Sequence, residues 1–318
     1  MSGELSRLLS LRSCGIPWEI VISCVPKEST AVCRIMRADV LACAVERLRC
    51  LDQDATVQLP VSILSSGARL RRIDMYGCNK IVDFGPLRMC SSTLEELILD
   101  GTRITSLEPI AGCWRLRQLK CAMTLVDSLE PLRNVVGLED LDCSCTGVAD
   151  IEPLTGCTRL QSLALDYTIV VDLAPIAHAT GLRHLTLSKT PIHSIPHLPC
   201  LTDMDCSHSR VTQLPSSCAE LVNLDLNHTM VDDLAPLAEA AKLERLDCSA
   251  CPDVYSIAPL AGCHMLEHLD CSYTPVTSLQ PLADGCHRLT DLTCVGTGVR
   301  DLSPILALTA LVDLRWSK

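Results

Sequence analysis

The sequence predicts an α/β fold drawn out into a curved, right-handed solenoid, with a parallel sheet on the concave side and short helical or 3₁₀ turns on the convex side. Three observations carry this. The phrase LxxLxLxxTxVxxLxPL recurs from residue 70 to residue 318. Within it, the Leu at the fourth and sixth positions alternate with polar residues, which is the period of a short strand with one buried face. A proline then opens the return segment, where it fits a first helical turn and excludes a central strand. A unit this short cannot bury its own apolar face, so successive units must stack.

The elements follow in order. Units begin at Leu70, Leu94, Leu116, Leu138, Leu160 and Leu182, then at Leu201, Leu221, Leu243, Leu266, Leu289 and Leu311, and most intervals are 22 residues. Twelve strands spaced by about 4.8 Å give an inner arc of roughly 50–55 Å, long enough for a protein partner. At the ninth position Thr102, Thr124, Thr146, Thr168, Thr190, Thr229, Thr274 and Thr297 recur, where a hydroxyl satisfies turn backbone groups. Pro109, Pro131, Pro153, Pro175, Pro236, Pro259, Pro281 and Pro304 open the returns. Units at Leu182 and Leu201 are short and carry Pro191, Pro196, Pro199 and Pro215, which predicts extended returns. Cys78 to Ile81 and Cys251 to Val254 each add a residue, as bulged turns.

Residues 1–69 precede the phase. They read as an N-terminal helical cap with a degenerate first repeat from Val45 to Gly67, and Thr30 to Leu51 as a helix-compatible run. Residues 70–318 are the solenoid proper, about twelve units with the last truncated after its strand. Trp316 takes the inward sixth position there, and the indole is expected to close the final core layer with its N–H reaching solvent.

Spacing, alternation and the xLxPL return together resemble the leucine-rich repeat family, in the 22-residue class of phosphatase regulatory subunits and internalins. The chain departs from the family in placing Thr where Asn is usual. It also puts Cys121, Cys143, Cys206, Cys248, Cys271 and Cys294 at the sixth position, where Cys serves as a small buried hydrophobe. The resemblance implies a non-enzymatic protein-interaction scaffold, and in one form a regulatory subunit that docks its partner on the concave sheet. A second resemblance is fainter. Ile16-Pro17-Trp18-Glu19-Ile20, with Val25-Pro26 and Val32-Cys33-Arg34, is similar to an F-box, implying a ubiquitin-ligase substrate adaptor docked through residues 1–69.

Composition narrows the function. One Phe, three Trp and four Tyr in 318 residues leave few stacking faces, and 27 basic residues stand against 38 acidic ones, for a net charge of −11. Both argue against nucleic acid. The 21 cysteines are an odd number, and no secretory signal or membrane-length apolar run is present, so the reading is a cytoplasmic chain with free thiols. Cys248 with Cys251, and Cys263 with His264, His268 and Cys271, have the spacing of redox or zinc sites. The repeat phase sends them in different directions, and no metal or cofactor is expected. The G-x-S-x-G, P-loop and H-E-x-x-H motifs are all missing from the sequence, so catalysis has no visible machinery.

Specificity then rests with the outward-facing columns. The fifth position carries Asp142, Asp205, Asp225, Asp247 and Asp270; the third carries Asp203, Arg245 and His268; the eighth carries Tyr167, His208, His228 and Tyr273. These twelve residues form the candidate protein-binding set, an acidic strip edged by imidazoles and phenols and suited to a basic protein partner. The plainer reading is that Asp at the fifth position is a soluble, turn-compatible habit of the repeat. A monomer is expected.

Overall fold

The structure, a computed structural model, describes residues 19–22, 47–50, 69–216 and 218–317. Fourteen strands run parallel in one sheet, each beside its neighbour in the chain. They are β1 (Glu19–Ile22), β2 (Arg47–Cys50), β3 (Arg72–Asp74), β4 (Glu96–Ile98), β5 (Gln118–Lys120), β6 (Asp140–Asp142) and β7 (Ser162–Ala164), then β8 (His184–Thr186), β9 (Asp203–Asp205), β10 (Asn223–Asp225), β11 (Arg245–Asp247), β12 (His268–Asp270), β13 (Asp291–Val295) and β14 (Asp313–Ser317). From β3 onward, each belongs to one unit of the repeat.

Most strands are three residues long, and their middle residue faces the core. Leu97, Leu119 and Leu141 stand opposite one another in register with no exposed surface, while the residues on either side of them are half-buried on the concave face. Register repeats because each unit offers the same residue types at the same heights. A one-residue slip would turn the whole apolar column to solvent.

The return segments are 3₁₀ turns at Gly85–Cys90, Glu108–Ile110, Glu130–Leu132, Glu152–Gly156, Ala174–Ile176, Ala235–Glu239, Ala258–Gly262 and Ser303–Ala307, and a short α-helix at Gln280–Gly285. Each has its proline in the first turn, as predicted. The two short units return in extended form, and Ser194 pairs with Gln213 across them. Most ninth-position hydroxyls are structural: Thr124, Thr146, Thr168, Thr190 and Thr274 are buried and donate to the carbonyl three residues earlier at 2.6–2.7 Å, whereas the Thr102 hydroxyl is buried without a partner and that of Thr229 meets the Cys251 sulfur.

Two expectations are corrected. Arg47–Cys50 is a strand paired with both Glu19–Ile22 and Arg72–Asp74, so the helix-compatible run does not extend to Leu51. Four residues without a 3.6-residue apolar stripe join the adjacent sheet edge more readily than they extend a helix. At the other end Trp316 packs against the core opposite Cys294, but its Nε1 is buried without a partner instead of reaching solvent. Leu314 beside it is 37% exposed, so the final layer is only partly covered. The remainder of the helical cap and most of the F-box-like segment lie outside the described residues.

Candidate protein-binding face

The backbone of the concave face explains its aspartates. After each strand the N–H groups of positions six and eight bond to the next unit, as Leu99 does to Lys120 and Gly101 to Ala122. In most units the position-seven N–H takes a side-chain acceptor instead. Fifth-position aspartates supply it within their own unit: Asp142 to Ser144, Asp205 to Ser207, Asp225 to Asn227, Asp247 to Ser249 and Asp270 to Ser272, all at 2.8–3.0 Å. Lys120 and Thr186 occupy the fifth position in their units. There Asp100 reaches across to Ala122, and Asp166 to Ser188.

Asp205, Asp225, Asp247 and Asp270 lie directly opposite one another along β9 to β12. Each binds its turn through one oxygen, and the run packs carboxylates at strand spacing. Burial pushes the Asp225 carboxyl up from 3.8 to about 6; the Asn227 N–H lowers it, and the charges of Asp205 and Asp247 raise it further. Burial likewise raises Asp100 and Asp166.

Not all twelve predicted residues belong to this run. Asp203 accepts from Asn223 and Thr202 and pairs with His184 at 3.0 Å; His268 pairs with Asp291 at 3.0 Å. His208 and His228 stack with ring centroids 4.6 Å apart. Arg245 is exposed on β11, and Tyr273 is exposed beyond β12. Asp142 lies on β6, separated from Asp205 by Ala164 and Thr186, and the exposed Tyr167 beyond β7 carries Lys189 over its ring. The acidic run is thus confined to β9–β12, and Asp142 and Tyr167 stand outside it. The sequence reading missed Asp100 and Asp166. Their signal was present: each precedes a unit whose fifth position is not acidic.

The suspected redox and zinc residues have separate partners. Cys248 and Cys263 each donate to a backbone carbonyl in another unit, His264 meets the Gly285 carbonyl, and His268 has its aspartate. Burial pushes the Cys263 thiol up to about 11 and the Cys286 thiol to about 12, the opposite of thiolate activation. Among the described cysteines only Cys145 and Cys200 are exposed.

A sheet of this kind, one strand per unit with its outer face open, defines a repeat solenoid. No protein-family model and no curated protein matches the chain. Solved structures do. A Leptospira interrogans leucine-rich repeat protein matches at TM-score 0.77 and 17% identity, over 86% of this chain and 72% of that one. The internalin InlF of Listeria monocytogenes matches at 0.56 and 24% identity, over 73% of this chain and 62% of that one. The LRIM1/APL1C complex matches at 0.61 and 17%, over 81% of this chain and 52% of that one. The fold is the leucine-rich repeat solenoid. Among the described residues no helix is long and apolar enough to cross a membrane.

Proposed function

We propose that the protein is a non-enzymatic, cytoplasmic interaction scaffold that captures a basic protein partner on its acidic concave face, acting as a regulatory subunit. One observation carries this reading: Asp205, Asp225, Asp247 and Asp270 stand in register on four adjacent strands. Carboxylates about 5 Å apart repel by roughly 0.8 kcal/mol per pair even at the dielectric of water, and by more where partly buried. Lys or Arg side chains from a partner relieve that repulsion and gain charge-assisted hydrogen bonds. The protein-interaction role of leucine-rich repeats, and the paired arrangement in LRIM1/APL1C, support a protein as the partner.

The test begins with affinity capture by the intact chain. Affinity for the identified partner is then measured against salt for wild type and for Asp225→Asn with Asp247→Asn. The double variant should bind more weakly and with a shallower salt dependence. Equal affinity and an equal salt slope would overturn the proposal. The adaptor alternative finds no support in the sheet, because Glu19–Ile22, part of the F-box-like stretch, is a strand paired with β2.

A further inference from the structure

On the rim that follows the strands, the stretch between Met123 and Val171 carries an apolar stripe. Met123, Leu125, Tyr167, Ile169 and Val171 are each 53–62% exposed. Met123 and Tyr167 line up across units, because each eighth-position N–H bonds to the next unit's seventh carbonyl, Met123 to Ser144 and Cys145 to Asp166, while Val171 follows two residues beyond Ile169. The tenth-position residues form a second row, with the N–H groups of Gly147 and Ile169 bonding to Val126 and Val148. Exposed Cys145 sits between Met123 and Tyr167 in the first row, and Gly147 between Leu125 and Ile169 in the second. The glycine adds no side chain to the row, and it is closely packed: a Cβ there would meet Asp127 at 3.3 Å.

Elsewhere the same columns are mixed, with His208, His228 and the exposed Tyr273 in the first and Arg103, Arg210 and the exposed Met230 in the second, and Lys189 lies over the Tyr167 ring at one end of the stripe. Together the five side chains expose on the order of 500 Å² of largely apolar surface, as large a patch as monomers usually tolerate, and such patches mark interaction sites. Carboxylates border it on both sides. Asp142 and Asp166 precede it within their units, and Asp127, Asp150 and Asp172 follow it. A second copy of a chain with net charge −11 is poorly matched to such a border.

We propose that this rim docks an amphipathic, basic helix of a protein partner, with its apolar side chains seated on the exposed Leu125 and Ile169 and its Lys and Arg side chains on the flanking aspartates. This deepens the scaffold reading and rests on it. The geometry favours a helix lying along the stacking direction. Leu125 and Ile169 are two strands apart, roughly 9.6 Å, close to the roughly 10.8 Å between side chains two helical turns apart.

The test uses a synthetic leucine–lysine helix about 16 residues long, with leucines at i, i+3, i+4 and i+7 and one benzophenone. A control peptide of equal charge replaces the leucines with serine. Full-length wild type, Leu125→Ser with Ile169→Ser, and Asp225→Asn with Asp247→Asn are titrated by fluorescence anisotropy. Cross-links are mapped by mass spectrometry. Cross-links at Met123–Leu125 and at Tyr167–Val171 are expected, with about tenfold weaker binding to the rim variant. The concave variant should bind this peptide within about twofold of wild type. Cross-links elsewhere, equal binding of the serine peptide, or a rim-dependent dimer in sedimentation would each overturn the proposal. Peptide binding governed by the concave variant alone would overturn it too, while leaving the acidic-face reading in place.

Discussion

Replacing Asp225 with Asn perturbs the acidic run at its most strained carboxylate. In the folded chain Asp225 lies between Asp205 and Asp247 and accepts the Asn227 N–H at 2.8 Å. Burial, its largest cause, moves the pKa from 3.8 to about 6. A folded pKa above the unfolded one means that the native state holds the proton more tightly, so between about pH 4 and pH 6 it binds more protons than the unfolded chain. Stability therefore falls as pH rises through that window, and the cost is fully present above it. The unscreened shift would be worth about 3 kcal/mol. Asp225 is only half-buried, so solvent screening reduces this to on the order of 1 kcal/mol. Asn retains the oxygen that accepts from Asn227 and removes the charge. Asp225→Asn should gain about 1 kcal/mol at pH 7.5, or roughly 1–2 °C in Tm, and the gain should vanish below about pH 4, where wild type is neutral at this site. Urea titrations at both pH values measure it, with Asp225→Ala as the control that loses the turn acceptor. A destabilised Asn variant at pH 7.5, or a difference independent of pH, would refute the reasoning.

Three further outcomes follow from the same geometry. Asp166→Ala removes the acceptor of both the Thr186 hydroxyl at 2.6 Å and the Ser188 N–H at 2.7 Å. It should cost about 1–3 kcal/mol in a urea titration, whereas Asp166→Asn should recover most of that; a wild-type midpoint for the Ala variant would contradict the bridging role. Isotope-coded maleimide should label Cys145 and Cys200 in the native protein and reach Cys121, Cys206 and Cys248 only after denaturation, since these three are buried. Stoichiometric zinc or native disulfides would overturn the free-thiol reading. Trp316→Ala should lose about 1–3 kcal/mol, below the range for a fully buried indole, with some self-association in sedimentation. Trp316→Phe should be close to neutral because it also removes the orphaned Nε1–H; an unaltered melting curve for the Ala variant would show that the indole caps nothing.

The solenoid was legible because its code is one-dimensional. Leu at fixed intervals sets the inner columns, and the proline sets where each return begins, so register follows without any long-range pairing rule. Residues 1–69 lack that phase, so Arg47–Cys50 could be read both as the end of a helical run and as part of a degenerate first repeat from Val45, and it is a strand. The turn conformation was hidden for a different reason. Eight non-glycine residues at the eighth position, Tyr167, His208 and His228 among them, adopt φ of 54–56°, and only Gly77, Gly101 and Gly296 mark that backbone in the usual way. The side chains in this column share no chemistry, so the constraint lies in the backbone hydrogen bonds to the next unit and leaves no compositional trace. Asp100 and Asp166 could be recognised only by reading one unit's seventh position against the next unit's fifth.

That cross-unit reading also bears on why the run of aspartates exists. Each fifth-position carboxylate caps a backbone N–H, which accounts for an acceptor at that place and supports the plain structural reading. It does not account for the charge. The N–H of Val295 is served by the neutral Ser272 hydroxyl at 3.2 Å, so an uncharged oxygen suffices for the cap. Four consecutive carboxylates incur a repulsion that four neutral acceptors would avoid; at Asp225 it adds to the larger effect of burial in raising the pKa. The excess of charge over structural need is therefore the quantity that a basic partner explains. Asp225→Asn with Asp247→Asn isolates it, because the cap survives and only the charge is removed. If partner affinity also survives, the aspartates are caps and nothing more.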